Sequence, residues 1–127
     1  MTYQYLIVEK DDRGFARVQL NRPKQLNALC TGLLDELSGV LSDFEDDDAV
    51  RAVVLTGSDR AFAAGADISE LMGFSAVDAR RHFANSSWRA IERFRKPIIA
   101  AVRGLALGGG FELVMQCDMV VVGDDVS

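Results

Sequence analysis

Histidine is almost missing from this chain: His82 is the only one among 127 residues. Cysteine and proline are nearly as scarce, with Cys30, Cys117, Pro23 and Pro97 as the whole supply. One histidine and two cysteines, in no CxxC pair or Cys/His cluster, exclude a zinc-type metal site. Two lone cysteines in a core-forming chain read as buried thiols rather than a disulfide, which points to a reducing, cytoplasmic compartment. Long apolar runs are missing too. The longest are broken by Arg103 and by glycines, so no segment is expected to span a membrane. The N-terminus, "MTYQYLIVEKDDRG", has no basic region ahead of an apolar run and does not read as a signal peptide. There is no dense basic stripe, and 19 acids against 14 bases leave a net charge of −5. Nucleic acid is thereby excluded as a partner, whereas a phosphorylated small molecule needs only a few local cations.

What is present is a core-forming composition, 49% apolar, at a length that fits one domain. "TYQYLIVEK" reads as a strand, "DDRG" as a turn and "FARVQL" as the returning strand of a hairpin. "NRPKQLNAL" follows as a loop. Leu33, Leu34, Leu37, Val40, Leu41 and Phe44 recur at helical spacing, and "EDDDAV" ends that helix in a solvated turn. "RAVVLTGS" is a short strand of the buried type, "DRAFAAGADISEL" a loop running into a short helix. Ser75 looks like the cap of a second long helix carrying Val77, Phe83, Trp88, Ile91 and Phe94. "KPIIAAV" is another buried strand, a helix is expected over about Phe111 to Gln116, and "DMVVVGDD" is one more buried strand. Buried strands alternating with helices make the fold class α/β. No linker or second composition regime divides the chain. A buried strand needs something after it to cover it, so the sequence reads as stopping before the end of its core.

Two segments share a plan. "VVLTGSDRAFAAGADI" and "IIAAVRGLALGGGFEL" each run from strand through a loop of small residues to a helix N-terminus. Such termini present free backbone N–H groups with the helix dipole behind them, and small side chains let a ligand approach. One terminus alone would suit an anion; two facing each other would make an oxyanion hole. Tight helix–sheet packing is an equally open reading of the glycines. The nucleotide-binding GxxxxGK[ST] pattern is absent. Glu112 stands in the first turn of the second helix. It reads either as a dipole-stabilised surface charge or as a general base, and the apolar neighbours Phe111, Leu113, Val114 and Met115 favour the base, with a raised pKa.

Taken together, "NRPKQLNAL", "RAVVLTGSDRAFAAGADI", "KPIIAAVRGLALGGGFEL" and "CDMVVVGDD" resemble, in order and spacing, the crotonase (enoyl-CoA hydratase/isomerase) superfamily. The resemblance covers nearly the whole chain. It implies a spiral of repeated β-β-α units, of which residues 1–127 are the N-terminal part of a single acyl-CoA-binding domain. That part is truncated before the end of the core and lacks the C-terminal helices that support trimers. It implies a homo-oligomer acting on an acyl-CoA thioester, with coenzyme A as part of the substrate and no separate cofactor. By motif position the thioester carbonyl would accept from the N–H groups of Ala66 and Gly109. Lys24, Leu26, Ala64, Asp67, Ile68 and Ser69 would join Ala66 and Gly109 in binding substrate, with Lys24 or Arg22 available to phosphate. Glu112 matches the first of the two glutamates with which the hydratases handle one water; the second lies further along the family's chain, beyond Ser127.

The implied reaction is addition of water across the 2,3 double bond of an enoyl-CoA. Another superfamily reaction (isomerase, hydrolase or decarboxylase) and a non-catalytic binding or assembly fragment are the alternatives. This chain alone is expected to show little activity. Ser69 stands where many hydratases carry lysine, Gln25 where a small residue is usual, and Arg103 where a small or amide residue is commoner. His82 reads as a surface residue, Trp88 and Phe94 as core, and Asp67 as a cap for a helix starting at Ile68. Apolar surface near Met119 to Val122 predicts association.

Overall fold

The computed structural model describes residues 2–67 and 86–126. Strands β1 (Leu6–Asp11) and β2 (Phe15–Leu20) form the expected antiparallel hairpin around the "DDRG" turn. The first strand starts later than its composition predicts. The backbone N–H groups of Gln4 and Tyr5 donate instead to the Glu36 carboxylate, at 3.1 and 2.8 Å. Helix α1 (Thr31–Glu45) follows, then β3 (Ala52–Thr56), β4 (Ala61–Ala63), α2 (Ser86–Glu92), β5 (Ile98–Val102), β6 (Leu105–Ala106), α3 (Gly109–Met115) and β7 (Met119–Val122).

The main sheet has the order β1-β2-β3-β5-β7, parallel except for the hairpin. In-register partners place Val18, Leu55, Ala100 and Val120 in one row across it. Helix α1 buries Leu33, Leu34, Leu37, Val40, Leu41 and Phe44, the set its periodicity marks, and they join one core cluster with Val18, Leu55 and Ala100. Trp88 and Phe94 pack against that core, as expected for core residues. Among the described residues the second long helix is represented by α2; Ser75 and His82 lie outside them.

Helix α1 ends without a basic residue in its last turn. Lys96, distant in sequence, supplies the missing cation. Its ammonium donates to the carbonyls of Phe44, Asp47 and Val50 at 2.5, 2.9 and 2.6 Å. A lysine at a helix C-terminus satisfies orphan carbonyls and complements the dipole, so the acidic "EDDD" turn is tolerated.

Two strand expectations are corrected. "AFAAG" was expected to be loop, yet Ala61–Ala63 is a fully buried strand that pairs in parallel with Leu105–Ala106. Three residues give too short a pattern for periodicity to register, and the partner is some forty residues on. Strand β7 forms, but it is exposed rather than buried along its whole length. By register Val120 and Val122 share a face with Ala100 and Val102, yet they are 46% and 60% exposed.

Candidate active site

The two loop segments meet. Strands β4 and β6 lie side by side, and the turns that leave them bring Gly65–Ala66 against Gly108–Gly109. A Cβ built on Gly109 would stand 3.6 Å from the Ala66 nitrogen. Neither N–H donates to a described residue: the loop and cap bonds use the amides of Ala64, Asp67, Leu107, Gly110 and Glu112, and skip Ala66 and Gly109. Among the described residues these two amide donors are adjacent and unspent.

The three glycines do three different things. Gly108 caps α3 at φ 52° and ψ −119°, a backbone region that a side chain disfavours. Gly109 leaves open the space in front of Ala66. Gly110 is a packing glycine, since a Cβ there would meet the Ala63 carbonyl oxygen at 2.0 Å. The packing reading of the glycine run therefore holds at Gly110.

Ala66 is held by a short bridge to the segment after the 3-10 turn at Pro23–Gln25. Leu29 N–H donates to Gly65 O at 2.7 Å, and Asp67 N–H donates to Leu29 O at 2.9 Å. Ala64 N–H donates to Leu26 O at 3.0 Å. Leu26 and Asn27 both take left-handed conformations, with φ of 50° and 59°. Side-chain bonds compensate: buried Asn27 donates from Nδ2 to Ala61 O at 3.0 Å and accepts at Oδ1 from Arg22 N–H at 2.7 Å. Nothing in the sequence reading marked Asn27 as the joint between these loops. The adjacent turn chemistry was the only available signal.

Arg22 is engaged within the protein. Its guanidinium donates to Ala28 O at 2.5 Å and to Asp67 Oδ2 at 3.0 Å, and it lies over the Tyr5 ring. Arg22 also lines the groove that holds Lys24. The Asp67 carboxylate is turned towards Arg22, whereas the expected capping role depends on Ile68. Ile68 and Ser69 lie outside the described residues. Lys24 is exposed on a shallow groove of about 450 Å³ with Gln4, Tyr5, Arg22 and Pro23. Leu26 and Ala64 are half-buried beside the bridge.

Glu112 occupies the first turn of α3, as expected, but its side chain is exposed, not enclosed by apolar neighbours. Helical geometry explains the difference. Leu113 and Val114 point into the core, while Phe111 and Met115, on Glu112's side of the helix, are 52% and 67% exposed. They border an apolar groove of about 480 Å³ that runs past Val120 and Val122 to Cys117. Arg103 is engaged by Asp59 and Asp125, at 2.8 and 3.3 Å. Among the described residues no cluster of histidine, cysteine and acids could hold a metal, and no helix is long and apolar enough to cross a membrane.

Comparison with known proteins agrees with this geometry. The family model "Enoyl-CoA hydratase/isomerase" matches residues 10–127. The mitochondrial enoyl-CoA hydratase of Pongo abelii is 49% identical over 124 residues, covering 96% of this chain and 43% of that protein. The short-chain-enoyl-CoA hydratase of Clostridium acetobutylicum is 43% identical over 122 residues, 94% of this chain and 46% of its own length. Among solved structures, the enoyl-CoA hydratase of Bacillus anthracis superposes with a TM-score of 0.90 at 33% identity, over 97% of this chain and 49% of that one. The enoyl-CoA hydratase of Mycobacterium smegmatis gives 0.89 at 36%, with the same coverage of 97% and 49%. The chain spans about half the length of the relatives it matches. With a match that runs through nearly all its residues and a crotonase architecture over that half, the chain belongs to the enoyl-CoA hydratase/isomerase family.

Proposed function

We propose that this chain supplies the oxyanion hole and one of the two carboxylates of an enoyl-CoA hydratase. The observation that carries the reading is the convergence of the Ala66 and Gly109 amides, with 3.6 Å between the Ala66 nitrogen and the Cβ position of Gly109. In the reaction, water loses a proton to a carboxylate as its oxygen bonds to C3 of the enoyl group. The C2–C3 π electrons shift towards the thioester, and the charge on its oxygen is taken by the two amides. A proton from the second glutamate that the resemblance implies then bonds to C2, giving the 3-hydroxyacyl-CoA. Glu112 is assigned to the water, since it sits one helical turn from the donor at Gly109. That placement favours hydration over isomerisation, hydrolysis or decarboxylation.

Lys24, on its exposed groove, is assigned to the coenzyme A phosphates, with Leu26, Ala64, Asp67, Ile68 and Ser69 along the same ligand. The free thiols of Cys30 and Cys117 suit a reducing compartment such as the cytoplasm. The apolar β7 strand supports association of the chain with itself.

The test is the infrared band of the thioester carbonyl in crotonyl-CoA, labelled with carbon-13, mixed with the purified 127-residue chain. A shift to lower frequency on binding is expected, because two amides polarise the carbonyl; absence of the shift would remove the oxyanion reading. Hydration by the chain alone is expected to be slight. Glu112 is exposed to water and the second glutamate that the resemblance implies is not among these residues. Robust turnover would overturn that part and make the fragment self-sufficient.

A further inference from the structure

We infer that Arg22 is the positioning residue of the oxyanion hole, fixing the aim of the Ala66 amide from a neighbouring loop; this rests on the oxyanion reading above. Ala66 donates to no described residue through its own N–H, so its direction is set by its flanks. Both flanks end on Leu29, whose N–H binds Gly65 O and whose carbonyl accepts from Asp67 N–H. Arg22 closes this bridge from both sides. One guanidinium nitrogen donates to Ala28 O, the residue before Leu29; the other donates to the carboxylate of Asp67, the residue after Ala66. The two side chains are only 14% and 15% exposed, so little water competes for the contacts. Tyr5 covers the guanidinium from one side, at 5.7 Å to the ring centroid.

The bridge needs such a clamp. It is an isolated pairing outside any strand, and it leads into a segment with two consecutive left-handed residues, Leu26 and Asn27. A donor held only by one bridge wanders, and an oxyanion hole works to the extent that its donors are already aimed. A planar fork that meets two acceptors in fixed directions suits the task better than a point charge on a flexible stem. Arg22 donates to Asn27, Ala28 and Asp67, so its hold on the oxyanion hole runs through the bridge at Ala66.

The experiment uses the whole chain and carbon-13-labelled butyryl-CoA, a saturated thioester that binds without reacting. Two quantities are read: affinity, and the carbonyl frequency shift of the bound ester. Arg22→Met is expected to lose about half or more of the shift while affinity changes less than about threefold, since coenzyme A contacts elsewhere persist. Arg22→Lys should fall between Arg22→Met and wild type. Asp67→Asn, which keeps size and an acceptor, guards against a misfolded Arg22→Met and should also reduce the shift. Amide exchange in β3 confirms that each variant is folded. A full carbonyl shift in folded Arg22→Met and Asp67→Asn would overturn the inference and leave the oxyanion reading standing. No shift in the wild-type chain would overturn both.

Discussion

Gly110 lies against Ala63 so closely that a Cβ on the glycine would come within 2.0 Å of the alanine's carbonyl oxygen. Contact with backbone cannot be relieved by turning a side chain. Either α3 moves away from β4, or the variant does not fold. Gly110→Ala is therefore expected to destabilise by about 1–3 kcal/mol or more, read as a lower urea midpoint. Gly109→Ala should behave differently: its methyl would make ordinary contacts at 3.6 Å and still stand in front of the Ala66 nitrogen. Stability should stay within about 1 kcal/mol, alanine being the better helix former, while the bound-thioester carbonyl shift collapses. Equal losses of stability in the two variants would contradict this division of labour.

Lys96 offers a second test. Its ammonium satisfies three carbonyls around the end of α1, those of Phe44, Asp47 and Val50. Lys96→Met keeps most of the stem and removes every bond. Hydrogen bonds to a charged donor are individually worth more than neutral ones, so a loss of about 1.5–3 kcal/mol is expected in urea unfolding. A midpoint equal to wild type would show that water replaces the lysine at no cost.

Cys117 makes stability depend on alkaline pH. Burial pushes its thiol from 9.0 up to about 12, and the Asp118 carboxylate adds to the shift. A raised folded-state pKa favours the protonated form in the native chain. Its contribution is fully present below pH 9.0 and drains away as the pH rises towards about 12. Cys117→Ala should flatten the stability profile across that window. With so little thiolate, Cys117 should also react with iodoacetamide at pH 8 slower than free cysteine by roughly two orders of magnitude or more, as read by peptide mass mapping. Labelling at the free-thiol rate would contradict the burial.

Strand β7 is expected to set the solution behaviour of the chain. Met119 is 62% and Val121 59% exposed, on an edge with unpaired backbone groups. Exposed apolar edges recruit other strands. Val121→Lys should raise the soluble, monomeric fraction in sedimentation at a given concentration without moving the urea midpoint by more than about 0.5 kcal/mol. Unchanged association would place the sticky surface elsewhere.

The hairpin, α1, β3 and β5 were all legible in the sequence, because each is written in a local period. The alternation in "FARVQL" and the helical spacing from Leu33 to Phe44 are read without knowing any partner. The motif text was legible as well: the resemblance singles out Ala66 and Gly109, and the sequence puts Glu112 in the first turn of a helix, where α3 has it. What the tertiary structure alone decided depends on residues far apart in the chain. Lys96 closes a helix some fifty positions back, Arg22 holds Asp67 across a similar gap, and β4 finds β6 only once both loops are folded. Exposure obeyed the same rule: apolar neighbours in sequence could not say that Phe111, Glu112 and Met115 face outward, nor that β7 is left uncovered. Local periods fix which residues form an element; which face of it meets protein is set by what folds against it.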